Sequence, residues 1–84
     1  MSLIQISYDL RNHATMNQYE ELIKELERLG AKKVQLSEWM WQSTNTPVQI
    51  RDHLRRFIHD TDRLLITAVN DWASWNSLTR INDI

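Results

Sequence analysis

The chain has 84 residues, with ten basic and eleven acidic side chains, a net charge of −1, and no cysteine. That length holds one domain around one core, because a chain this short buries only about 60–65% of the surface its unfolded form exposes. The absence of cysteine excludes disulfides and thiolate metal sites, and the balanced charge argues against a dedicated nucleic-acid coat, though not against a local basic strip.

Met1-Ser2-Leu3-Ile4 carries no charged n-region, so no signal peptide is expected. No stretch approaches the ~20 apolar residues of a membrane span. A soluble domain without membrane contact, suited to a reducing cytoplasm, is the expectation. Four Trp, two Tyr and one Phe are a heavy aromatic load for this length, which points to an exposed aromatic patch and hence a partner.

Leu3-Ile4-Gln5-Ile6-Ser7-Tyr8 alternates apolar and polar and reads as a first strand, with Ile4, Ile6 and Tyr8 on one face and Gln5, Ser7 and Asp9 on the other. Arg11-Asn12-His13 is a polar loop, and Thr15 with Gln18 has the spacing of a capping box. Tyr19, Leu22, Ile23, Leu26 and Leu29 then recur at helical spacing, and Gly30 stands where a helix usually ends in a left-handed residue.

Lys33-Val34-Gln35-Leu36 reads as a second strand. A turn at Ser37-Glu38 would make Trp39-Met40-Trp41-Gln42 the third; one long bent strand over residues 33–43 is the alternative. Thr46-Pro47-Val48-Gln49 combines an N-cap Thr, a first-turn Pro and a capping Gln, and Ile50, Leu54, Phe57 and Ile58 form the apolar stripe of the helix that follows. Arg63 to Val69 reads as a last strand, with residues 76–84 expected to be a flexible tail.

The order βαββαβ predicts an α+β, ferredoxin-like sandwich over residues 1–84, with a four-stranded antiparallel sheet and both helices on one face. The other face is left open. Gln5, Ser7 and Asp9 belong on it, and Trp39 and Trp41 are placed there as a dimer interface, since an open face bearing two Trp favours homodimerisation.

Asp9 closes the first strand beside Arg11, Asn12 and His13. In a dimer packed face to face, two Asp9 carboxylates would approach, and like charges that close need a raised pKa or a cation between them. Mg²⁺ is the natural choice, being oxygen-seeking and retaining waters. Such a metal can activate water against a phosphodiester, with Arg11 or His13 offsetting charge. The plainer alternative is that Asp9 caps a turn and pairs with Arg11. His53 and His59, six apart on one helix, share no face and form no metal site. Lys33, Arg51 and Arg55 are candidate contacts to nucleic acid, although acidic neighbours make a solvated helix face the competing account.

Ile6-Ser7-Tyr8-Asp9-Leu10, Lys33-Val34-Gln35-Leu36-Ser37, Thr46-Pro47-Val48-Gln49-Ile50-Arg51-Asp52 and Trp72-Ala73-Ser74-Trp75 together resemble the small ferredoxin-fold subunit family of the CRISPR adaptation complex. The likeness extends to its stand-alone relatives, among them the virulence-associated protein D ribonucleases. It implies a homodimer with Asp9 near the dimer axis as metal ligand for endonuclease activity, with Ser37 matching the polar residue after the second strand and Lys33 standing where Arg is common. Some members of the family serve only as dimeric scaffolds. The slightly acidic charge and the polar tail depart from the family pattern and weaken a role in spacer integration. Two readings follow: a Mg²⁺-dependent endonuclease, on RNA in preference to DNA, with Asp9, Arg11, His13 and Ser37 as catalytic residues, and a non-catalytic dimeric module for a protein or nucleic-acid partner.

Overall fold

A computed structural model describes residues 1–10 and 16–84. Arg11, His13 and the Thr15–Gln18 capping box lie outside the described residues. Strand β1 (Ser2–Asp9) leads to helix α1 (Met16–Leu29), strands β2 (Lys32–Gln35) and β3 (Glu38–Ser43), helix α2 (Pro47–Leu54), and strand β4 (Arg63–Ala68). Short 3₁₀ turns follow α2 at Arg55–Phe57 and close the chain at Ile81–Asp83. The strands form one sheet in the order β2-β3-β1-β4, and every neighbouring pair is antiparallel. This is the ferredoxin-like arrangement expected. Among the described residues no helix is long and apolar enough to cross a membrane.

Local chemistry accounts for several element ends. Gly30 takes φ +90°, a conformation that costs glycine little, and α1 ends in a Schellman motif: Gly30 N–H donates to the Glu27 carbonyl and Ala31 N–H to that of Leu26, both at 3.0 Å. Thr46 caps α2 reciprocally. Its hydroxyl accepts from Gln49 N–H at 3.2 Å, while the Gln49 side chain accepts from Thr46 N–H at 2.9 Å. Between β2 and β3 the chain makes a hairpin, not one bent strand: Gln35 pairs with Glu38, so Leu36 and Ser37 form the turn, one residue earlier than expected.

The core lies between the sheet and the two helices. Ile4, Ile6, Leu22, Leu26, Ala31, Trp39, Ile50 and Leu54 are buried together, with Tyr8, Trp41, Phe57, Leu64 and Ile66 packed around them. Each fully buried Leu or Ile contributes on the order of 1.5–3 kcal/mol. Trp39 and Trp41, expected on the open face, lie on the other one. In register, Ile6 faces Trp39 and Ile4 faces Trp41, so both indoles join the helix side of the sheet, and Trp39 is only 4% exposed. Trp39 Nε1–H donates to the Tyr8 hydroxyl at 3.0 Å, giving the indole the polar partner it needs when buried. A residue so enclosed has no surface left for a dimer interface.

The opposite face is partly roofed by the chain itself. Met40 and Val34 are buried there with Ile81, flanked by Leu3 and Ile84. Residues 76–84, for which a flexible tail was expected, lie along β2: Leu78 N–H donates to the Val34 carbonyl at 2.9 Å, and Thr79 Oγ1 to that of Lys33 at 2.8 Å. Trp72 and Trp75 border a groove of about 390 Å³ over Gln5 and Met40, and Trp75 remains 88% exposed.

Candidate functional site

Among the described residues of the open face, the C-terminal segment leaves the end of β1 unroofed, together with the neighbouring part of β4. Alternation along β1 sends Ser7 and Asp9 to that face. Register sets Ser7 between Glu38 of β3 and Leu65 of β4, and Asp9 opposite Arg63. These residues, with Ser37 from the hairpin turn, line a shallow cleft of about 260 Å³. Asp9 Oδ2 accepts from Arg63 Nη1 at 3.1 Å, and both side chains are more than half exposed. Glu38 Oε2 accepts from Gln5 Nε2 at 3.1 Å. Tyr8 turns to the helix side, where burial raises its pKa and the bond from Trp39 lowers it in part, leaving the phenol neutral at physiological pH.

Of the residues picked out from sequence, the fold brings Asp9 and Ser37 into one cleft. Lys33, Arg51 and Arg55 do not form one strip. Lys33 sits on β2 at one edge of the sheet, whereas α2 packs on β4 at the other. Arg51 is tied to Asp52 at 2.9 Å, and with Arg55 it borders a second cleft beside His59, Asp60 and Asp62. Asp62 there accepts from the Tyr19 hydroxyl and from His59 N–H. Ser7 lies on the face expected for it, beside Asp9; Glu38 and Arg63 join them through strand register.

A second polar cluster, between the helices, was also missed. Glu25 is buried at the border of the α1 apolar stripe and accepts two bonds from Arg28, at 2.7 and 2.6 Å, as well as contacting His53 Nε2. Arg28 first, and His53 after it, hold the Glu25 carboxyl down at about 2. The His53 ring in turn meets Phe57 edge-on, with centroids 5.7 Å apart. The signal in the sequence was the pair Glu25 and Arg28 at helical spacing beside Leu22 and Leu26.

Mg²⁺ is usually held by one or two carboxylates and keeps several waters. Among the described residues, no group of three His, Cys, Asp or Glu gathers to hold a metal. One copy offers Asp9, a hard oxygen donor on an accessible face, which suits such a cation as half of a two-carboxylate site. No protein-family model matches the chain.

Proposed function

We propose that the protein is a homodimeric Mg²⁺-dependent endonuclease of the reducing cytoplasm, acting on RNA in preference to DNA. The observation that carries the proposal is the place of Asp9: it stands on the stretch of open sheet face that the C-terminal segment leaves clear, beside Ser7, Ser37 and Glu38. Two such faces meeting about a two-fold axis would bring two Asp9 carboxylates to one cation. Bound there, Mg²⁺ would supply Lewis acidity and lower the pKa of a coordinated water. Arg63 is an exposed partner whose ion pair with Asp9 is worth only about 0–1 kcal/mol, so exchanging it for a phosphate costs little. Ser7 and Ser37 present hydroxyls for positioning the backbone of the substrate. Arg51 and Arg55 extend the contact to flanking phosphates on the helix side, and the resemblance to the CRISPR adaptation subunits and their ribonuclease relatives supplies the reaction class.

The test is cleavage of labelled RNA and DNA by purified protein, with Mg²⁺ and with EDTA, beside Asp9→Asn and Arg63→Ala. The proposal expects Mg²⁺-dependent RNA cleavage that falls at least 100-fold in Asp9→Asn. Equal turnover in wild type and Asp9→Asn removes it. A second reading, a non-catalytic dimeric scaffold, draws on the Asp9–Arg63 ion pair, which already neutralises the candidate ligand within one copy.

A further inference from the structure

We infer that β4 is a self-association edge, pairing antiparallel with β4 of a second copy about a two-fold axis at Ile66 and joining two four-stranded sheets into one. The two edges of the sheet are treated differently by the chain. On β2, the C-terminal segment supplies Leu78 N–H and Thr79 Oγ1 to the outward carbonyls of Val34 and Lys33. On β4 nothing comparable is found among the described residues. Val69 N–H donates to the Leu3 carbonyl at 2.9 Å, which sets the alternation: Arg63, Leu65 and Thr67 turn their backbone groups towards β1. Leu64, Ile66 and Ala68 therefore turn theirs outward.

An edge of this kind invites strand addition unless charge, proline or a bulge blunts it. The run Leu64-Leu65-Ile66-Thr67-Ala68-Val69 contains no charge, glycine or proline, and its register with β1 is unbroken. Leu65 is 62% exposed beside it. A second β4 meets every requirement of this edge. With the axis at Ile66, Ile66 faces its own copy and Leu64 faces Ala68, so each outward N–H finds an outward carbonyl. Leu65 of one copy then meets Thr67 of the other on the same face of the joined sheet. The two Arg63 guanidiniums fall at opposite ends of the paired segment and do not oppose one another.

This edge is distinct from the face that carries Asp9, so the inference does not rest on the proposed activity; where the two-fold axes of both contacts cross at right angles, the two contacts close a four-copy particle. The experiment is sedimentation equilibrium of wild type, Ala68→Pro and Ala68→Lys. Ala68 is exposed and its N–H points outward, so neither change removes an internal ladder bond. Circular dichroism checks the fold, and should Ala68→Pro unfold, Ala68→Lys carries the comparison. The expected result is a halving of particle mass in the variants, with exchange of the Leu64 and Ile66 amides at least 10-fold faster than in wild type. A four-copy particle falling to two supports both contacts. A two-copy particle falling to one keeps the edge and removes the face-to-face pairing. A particle unchanged by both variants, or a wild type that is one copy throughout, overturns the inference.

Discussion

Replacing Glu25 by Gln keeps the size of the side chain and removes the charge that Arg28 and His53 share. Moving a carboxyl from its ordinary 4.5 to about 2 corresponds to roughly 3 kcal/mol in favour of the folded state at 1.36 kcal/mol per pH unit. The Arg28 side chain is 65% exposed, so solvent screening brings the expectation down to about 2 kcal/mol. The folded-state pKa lies below the unfolded one. The stabilisation is therefore complete above about pH 4.5 and fades as pH falls towards 2. Urea unfolding followed by circular dichroism at pH 7 and near pH 2 measures it. At pH 7 Glu25→Gln loses about 2 kcal/mol, a fall of roughly 8–16 °C in Tm for a domain of this size. Near pH 2 the gap between variant and wild type closes to within about 0.5 kcal/mol. A gap of the same size at both pH values would make the loss one of packing and not of charge.

Two further outcomes follow from the core. Trp39→Ala empties a site that is 4% exposed and costs about 3–5 kcal/mol, whereas Trp39→Phe costs about 1 kcal/mol and pushes Tyr8 titration further up by removing its indole donor; urea unfolding and ultraviolet titration of tyrosinate measure the two effects. Ile81→Ala loosens the C-terminal segment from Val34 and Met40, so about 2 kcal/mol is lost and the Leu78 amide exchanges faster; unchanged protection at Leu78 would show that the segment is held without its buried anchor.

The parts of the fold readable from sequence are those set by local chemistry. Thr46 with Gln49, Gly30 after Leu29, and the alternation in Leu3–Tyr8 each specify a cap, a stop or a strand from neighbouring residues alone. The face of Trp39 and Trp41 was not readable, because Trp39-Met40-Trp41 is apolar at consecutive positions and offers no alternation to orient it. Only pairing with β1 decides it, setting both Trp opposite Ile4 and Ile6 and leaving Met40 for Ile81. The candidate site divides the same way. Asp9 and Ser37 stand out at the ends of predicted strands, but the Asp9–Arg63 pair joins residues 54 apart, and only register brings them together.

In the proposed dimer two Asp9 side chains share a two-fold axis. With no native cysteine in the chain, Asp9→Cys carries a single nitroxide spin label, and electron paramagnetic resonance reports whether two labels lie close. Strong dipolar broadening is expected, disappearing when labelled protein is diluted with excess unlabelled chain. A spectrum of magnetically isolated labels, in protein that sedimentation shows to be associated, would contradict that shared axis.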